Sequence, residues 1–222
     1  MKLKQSVLLA CALMVPAAAM AEAGDWVIRA RAVNVSPNES SDLGKYLNGI
    51  TGGAAGAGSK LEVNDQVIPE LDISYYVTKN IALELILALG TRHDVSIKGA
   101  SGVANENLGS VNLLPPTLTA QWHFRPDQTF DPYVGAGINY TRFMDNGLHT
   151  SQLGGQDIRV ERNSWGPALQ AGFDINLKDG WLLNADVKYL WIDTDVKLKN
   201  GPKIDSLDIN PWVIGFGFGK RF

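Results

Sequence analysis

Cysteine is nearly absent: the 222 residues contain one, Cys11, inside a segment that reads as an export signal. Without that segment the chain has no disulfide and no thiol chemistry. Long hydrophobic runs are missing too. Beyond Ala21 no apolar stretch approaches the roughly 20 residues a membrane-spanning helix needs. No Pro- or Ser-rich linker divides the chain, so one domain is expected. A cationic excess is lacking as well, with 20 Lys and Arg against 23 Asp and Glu, which excludes a nucleic-acid footprint. The three histidines form no cluster with metal-ligand spacing, and neither metal nor cofactor is expected.

The N-terminus carries Lys2 and Lys4, an apolar stretch from Val7 to Val15, then Pro16 and the small-residue site Ala19-Met20-Ala21. This pattern predicts a cleaved secretory signal peptide over 1–21 and a mature domain over 22–222. Acylation of Cys11 behind Leu8-Leu9-Ala10 is the weaker alternative, because the segment before it is short and a better cut site follows. Cleavage leaves 201 of the 222 residues and takes the formal charge from −3 to −5 with the loss of Lys2 and Lys4. Hydrophobic residues make up 45% of the sequence, scattered in alternation. For an exported chain that pattern points to a transmembrane barrel, since only a closed sheet satisfies the backbone of strands in lipid.

Eight alternating segments are expected, at about 25–35, 62–77, 81–97, 112–124, 132–143, 164–177, 181–197 and 212–222. The last alternates large apolar side chains with glycine and stops on Phe222. Its ten steps of about 3.3 Å, tilted by about 40°, rise roughly 25 Å, the height of a barrel's apolar band. The turns Thr78-Lys79-Asn80, Arg125-Pro126-Asp127-Gln128 and Lys178-Asp179-Gly180 are short. At the other end the connections 36–61, 98–111, 144–163 and 198–208 are long and polar, which makes them the extracellular side. All six tryptophans share the outward parity: Trp26, Trp122 and Trp181 at the short-turn end, Trp165, Trp191 and Trp212 at the long-loop end. Two aromatic girdles explain this placement. Gly49 to Ser59 reads as a mobile Gly/Ala-rich loop and not as a phosphate cradle, because no Lys-Ser/Thr follows.

The inward set is charged: Arg29, Arg31 and Lys188 against Glu70, Asp72, Glu84, Asp174 and Asp186. An eight-stranded barrel is just wide enough for its inward side chains to fill, and buried charges persist only when paired. A salt-paired plug across the lower lumen is therefore expected, chiefly structural in role. Above it the inward faces turn apolar, with Val33, Val35, Ile86, Ala88, Leu190, Ile192 and Val213 as candidates for a pocket open to the outside. Pro69, Pro116, Pro167 and Pro211 each remove a ladder donor from the upper part of a strand running toward the short-turn end. They are the candidates for a lateral opening, and an equally weighted reading is that they end the paired region below the loops.

Two stretches, Leu114-Pro115-Pro116-Thr117-Leu118-Thr119-Ala120-Gln121-Trp122-His123-Phe124 and Pro132-Tyr133-Val134-Gly135-Ala136-Gly137-Ile138-Asn139-Tyr140-Thr141, resemble signatures of the outer membrane protein W (OmpW) family. Ser164-Trp165-Gly166, Trp181-Leu182-Leu183-Asn184-Ala185-Asp186 and Asp208-Ile209-Asn210-Pro211-Trp212 resemble its later blocks, so the likeness spans the mature chain. It implies an eight-stranded outer-membrane barrel that passes small hydrophobic molecules into the membrane through an opening in its wall. Expected partners are outer-membrane lipids and lipopolysaccharide, the hydrophobic solutes, and the barrel assembly machinery, with Phe222 as assembly signal. Lys220 departs from the family's aromatic two places before the terminal Phe, and its stem is expected to snorkel.

Three other functions stay open: a channel for small polar solutes or amino acids, a structural or adhesive surface barrel, and an enzyme. His149-Thr150-Ser151 resembles the His-x-Ser pair of lipid-A deacylase barrels but falls in a loop, whereas a lipid hydrolase needs it on a lipid-facing strand. His93 and His123 read as hydrogen-bonded interface or lumen residues. No enzymatic activity is expected.

Overall fold

Alternation becomes geometry in the computed structural model, which describes residues 21–89, 91–145, 147–152 and 155–222. The signal peptide expected over 1–21 lies outside the described residues but for Ala21. In chain order the elements are β1 (Trp26–Ser36), α1 (Leu43–Ile50), β2 (Lys60–Val63), β3 (Gln66–Tyr76), β4 (Ile81–Ala88), β5 (Thr91–Lys98), β6 (Glu106–Leu114) and β7 (Thr117–His123). There follow β8 (Phe130–Asp145), β9 (Leu148–Thr150), β10 (Gln156–Val160), β11 (Asn163–Asn176), β12 (Trp181–Leu190), β13 (Asp193–Leu198), β14 (Lys203–Asp208) and β15 (Trp212–Arg221).

Eight of these strands close a barrel in the order β1, β3, β4, β7, β8, β11, β12, β15 and back to β1, each antiparallel to its neighbours. The closing seam runs from Val27↔Arg221 to Ser36↔Trp212, and the Trp26 and Phe222 backbones exchange both of their hydrogen bonds just below it. Burial follows the period of two. Along β1, Trp26, Ile28, Ala30 and Ala32 are exposed on the outer face while Val27, Arg29, Arg31 and Val33 are buried inside. The outer face carries exposed Leu83, Leu118, Ile138, Leu183 and Phe216, an apolar belt that suits hydrocarbon and not water. The three short turns fall where expected, with a 3-10 turn at Lys178–Gly180.

The long-loop end departs from expectation. Four of the expected strands are each broken in two: 62–77 into β2 and β3, 81–97 into β4 and β5, 112–124 into β6 and β7, and 181–197 into β12 and β13. At Pro115–Pro116 the cause is the missing donors. After β12 it is a side chain, since Asn210 Oδ1 accepts the Ile192 N–H at 3.0 Å in place of a strand partner. The connections expected to be plain polar loops are folded. β2, β5 and β6 pair with one another and with the upper end of β8, while β9, β10, β13 and β14 form a second sheet. Together with α1 they enclose an apolar core that includes Leu43, Leu47, Leu108, Phe143, Leu148, Ile158 and Leu207. This canopy was hidden because its strands are three to nine residues long, too short for alternation to stand out.

The Gly/Ala stretch is likewise a built element. α1 occupies its start, and a Cβ on Gly44 would come within 2.7 Å of the Ser59 carbonyl, so glycine here permits a close crossing. Within the barrel, Gly137 lets β8 approach β7: a Cβ there would overlap the Leu118 carbonyl oxygen. Gly137→Val should destabilise the barrel by about 1–3 kcal/mol, the usual scale of overpacking. The check is the midpoint of unfolding, followed by the heat-dependent gel mobility of the folded band.

Candidate functional site: an apolar cavity above a charged plug

The lumen divides at the level of Glu70 and Lys188. Below, two arginines from β1 organise five carboxylates. Arg29 holds Asp174 bidentately along one edge of its guanidinium, Nε to Oδ1 at 3.3 Å and Nη2 to Oδ2 at 2.6 Å, and its Nη1 reaches Glu84 Oε1 at 3.1 Å. Arg31 lies 2.6 Å from Asp72, 3.1 Å from Glu70 and 2.9 Å from Asp186. Lys188 Nζ bridges Glu70 Oε1 at 2.8 Å and Asp186 Oδ1 at 3.2 Å. The structure thus brings all eight of the expected plug residues into one contact network. Register explains why: β1 faces β3 with Arg29 opposite Asp72 and Arg31 opposite Glu70, so opposite charges from paired strands share one lumen level.

Several members of the network carried no charge to advertise them. Gln170 Nε2 bridges Glu84 and Asp186, each at 2.8 Å, and Gln121 Nε2 donates to Glu84 at 2.7 Å. Asn184 Nδ2 donates to Asp174 Oδ1 at 2.8 Å and Ser74 accepts from Arg29 at 2.6 Å. Their inward parity was readable, but not their partners. Beneath them His123 Nδ1 meets Asp131 at 2.7 Å between the rings of Tyr76 and Tyr133. His123, Asp131 and Asp174 converge closely enough to hold a metal, a grouping that sequence spacing did not reveal. Arg29 already neutralises Asp174 there, so the cluster fits the plug as it stands.

Above the plug lies a cavity of about 680 Å³ counted to its open mouth. Val33, Val35, Ile86, Ala88, Leu190, Ile192 and Val213 all line it, with Glu70 and Lys188 at its floor and Thr91, His93, Leu113, Pro115 and Thr117 toward one side. A second apolar cavity, about 370 Å³, lies inside the canopy core and shares Val63, His93, Leu113 and Ile209 with the first. The two meet at those residues. Apart from Glu70 and Lys188 at the floor, neither cavity is lined by an Asp, Glu, Lys or Arg.

The wall beside this cavity is interrupted at more than one seam: the β3–β4 ladder stops at Glu70↔Ala88 and pairing resumes only between β2 and β5 at Val63↔Val95, and a second break lies beyond the β4–β7 ladder. β4 and β7 pair from Ile81↔Trp122 up to Ile86↔Thr117, and pairing resumes between β5 and β6 at Thr91↔Leu113. Between those levels Leu87, Ala88 and Leu89 on one edge face Leu114, Pro115 and Pro116 on the other with no ladder pair. The proline acceptors on that edge are met by side chains and by β8: Asn139 Nδ2 donates to the Pro115 carbonyl at 3.3 Å, and Tyr140 N–H to that of Pro116 at 3.0 Å. Pro69 and Pro167 are placed differently. Each keeps a register partner, Ala32 and Ile138 respectively, and each carbonyl accepts from the next strand, Leu89 N–H at 3.0 Å and Trp191 N–H at 3.1 Å. Pro211 precedes β15 and lines the cavity, its carbonyl accepting the Leu190 N–H at 3.2 Å.

At the lipid face, Trp26, Trp122 and Trp181 lie at the short-turn end. Trp165, Trp191 and Trp212 lie at the other, Trp165 stacked on Tyr140 at 4.5 Å and Tyr189 packed between Trp191 and Trp212. Lys220 Nζ rests 5.0 Å from the centre of the Trp181 ring, a cation–π contact within that lower band. His149 is exposed in the short strand β9 and pairs with Asp157, while Thr150 Oγ1 and the Ser151 N–H both donate to Glu106. That trio is part of the canopy and is remote from any lipid-facing strand.

A closed eight-stranded sheet, apolar outside, ringed by aromatics at both ends and plugged within, is an integral barrel of the bacterial outer membrane. The pattern of the OmpW family matches residues 22–222. The chain is 39% identical over 205 residues to outer membrane protein W of Vibrio cholerae, spanning 90% of this chain and 89% of that one. It superposes on the crystal structure of the outer membrane protein OprG from Pseudomonas aeruginosa with a TM-score of 0.74 at 30% identity, over 91% of this chain and 98% of that one. More distantly, it is 27% identical over 206 residues to the dibenzothiophene metabolism operon protein PahQ of Pseudomonas aeruginosa, covering 91% and 90%. The chain belongs to the OmpW family.

The plug yields a stability test. Arg31→Met leaves Glu70, Asp72 and Asp186 short of their shared cation, and breaking a buried pair this way costs about 3–5 kcal/mol. Urea unfolding of the variant in lipid vesicles, read by tryptophan fluorescence, should show a loss of that size.

Proposed function

We propose that this barrel carries small hydrophobic solutes passively from the outside into the outer leaflet by lateral release through its wall. A solute passes beneath the canopy, collects in the apolar cavity, is stopped by the charged floor at Glu70 and Lys188, and leaves sideways between β4 and β7. The observation that carries this reading is the coincidence of level: the interruption at Leu87–Leu89 and Leu114–Pro116 borders the same cavity that the plug closes from below. An apolar solute cannot cross the plug without stripping charges of their partners, whereas the slit leads from one apolar surface to another. The kinship with PahQ, named for a dibenzothiophene metabolism operon, agrees with an apolar cargo. A channel for polar solutes would need a wet lumen, which the interlocked Arg31, Asp72 and Asp186 oppose.

Restoring the missing donors tests the exit. In cells making the protein, the Pro115→Val, Pro116→Val double variant should lower uptake of a fluorescent hydrophobic probe toward the level of cells lacking the barrel. Pro167→Val, where the ladder with β8 already runs past the proline, should leave uptake near the native level. Equal uptake by the double variant and the native barrel, both folded by gel mobility, would count against the slit.

A further inference from the structure

The polar hydrogens around the apolar cavity are already committed inside the protein. Thr91 Oγ1 donates to the Leu113 carbonyl, Thr117 Oγ1 to the Pro115 carbonyl at 3.2 Å and Thr141 Oγ1 to Asn139 Oδ1 at 2.7 Å. At the floor, Lys188 Nζ is held by Glu70 Oε1 at 2.8 Å and by the two Asp186 oxygens at 3.2 and 3.3 Å. What remains open toward the cavity are acceptors. Glu70 Oε1 takes both Lys188 and Arg31, while its Oε2 takes no hydrogen bond among the described residues.

His93 is the second acceptor, and its tautomer follows from its contact. Nδ1 lies 3.0 Å from the Asn64 carbonyl oxygen, which can only accept, so the ring proton belongs on Nδ1. Nε2 then presents a lone pair and has no partner among the described residues. β5 lies above the membrane-spanning strands, and burial lowers the His93 pKa from its ordinary value, keeping the ring neutral. The residue is 4% exposed and stands where the two cavities meet, on the path any solute takes.

Resting on the uptake reading above, we propose that the cavity selects apolar solutes bearing one hydrogen-bond donor, alcohols and phenols, with His93 Nε2 as the specificity-determining acceptor. Covering that lone pair with hydrocarbon forfeits its hydrogen bonding, whereas a hydroxyl restores it, and a buried polar group left unpaired is what lets a site reject an isostere. Carboxylates are refused for a separate reason. They would meet acceptors without donors, above a plug in which five carboxylates face three cations, Arg29, Arg31 and Lys188.

The test uses the full mature barrel in lipid nanodiscs and three probes of matched chain: 1-octanol, its isomer heptyl methyl ether, and octanoate. Affinities are corrected for each probe's partition into empty nanodiscs. Octanol should bind about tenfold tighter than the ether, equivalent to about 1.4 kcal/mol, with octanoate weakest. With only three histidines in the chain, the ring ¹⁵N spectrum gives a second readout, in which octanol but not the ether should move the His93 Nε2 resonance. In His93→Leu the octanol-to-ether ratio should fall to about one. Equal native affinities for octanol and ether, octanoate binding best, or a ratio unchanged in His93→Leu would each overturn the assignment and leave the uptake reading intact. Failure of all three probes to bind would overturn both.

Discussion

A strand that crosses hydrocarbon has no partner for its peptide groups except another strand, and the rest of this molecule follows from that restriction. It requires β15 to return to β1 and accept its full register from Val27 to Ser36. It fixes the parity of every spanning residue, because the sheet has one face toward lipid and one toward a narrow lumen. The outer face is then committed to Leu, Ile, Phe and the tryptophan bands. The inner face must fill a bore about as wide as two opposed side chains. Filling that bore with charge works only because β1 supplies Arg29 and Arg31 at the levels where β3, β4, β11 and β12 supply carboxylates.

The same restriction gives the wall interruption its meaning. An open seam in lipid exposes peptide groups at a cost of several kcal/mol each. Two consecutive prolines remove two donors outright, and Asn139 supplies a side-chain donor to the Pro115 carbonyl that would otherwise be orphaned. Asn139 also donates to Thr117 Oγ1 at 2.8 Å, fixing the first residue of the strand that follows. On this edge the Pro115 carbonyl is thus met from within the protein and that of Pro116 by β8. Pro69 and Pro167 keep continuous ladders with β1 and β8 on one side and stand just past the end of the ladders with β4 and β12 on the other, so a proline marks where pairing stops on one edge only.

What could be read from the residues was whatever repeats with period two over a full crossing. The eight spanning segments, the three short turns, the two levels of tryptophan and the inward charges all follow from parity, and the structure puts each where parity requires. The break between β12 and β13 did not announce itself, because burial keeps its alternation while the chain passes into the second sheet; between β4 and β5, which stay in one sheet, the buried parity shifts from even to odd residues. The canopy was missed for a related reason. Ile158 and Val160, or Ile204 and Leu207, are two apolar residues amid polar ones and read as loop until a facing sheet buries them. Gln170 and Asn184 were on the inward face by count, yet an amide gives no sign of which carboxylate it will meet across the bore. His93 appeared as a hydrogen-bonded interface residue; its place at the junction of two cavities depends on β5 folding over the barrel mouth, which parity along one strand cannot specify.

The levels of these features are coupled through the strands that carry them. On β3 the floor residue Glu70 follows Ile68, which lines the cavity, and on β12 Lys188 precedes Leu190 in the same way. On β7 Thr117 ends the ladder with β4, and the next residues toward the outside are Pro116 and Pro115 at the slit. On β3 and β12 the lumen therefore passes from charged to apolar between adjacent inward residues, and Ala88, the register partner of Glu70, already lies on the stretch of β4 left unpaired by β7. Under the uptake reading proposed above, the charged floor closes the cavity from below at the same register as the unpaired wall, so a solute that reaches the floor stands beside apolar Ala88 and Pro115 rather than above a further length of bore.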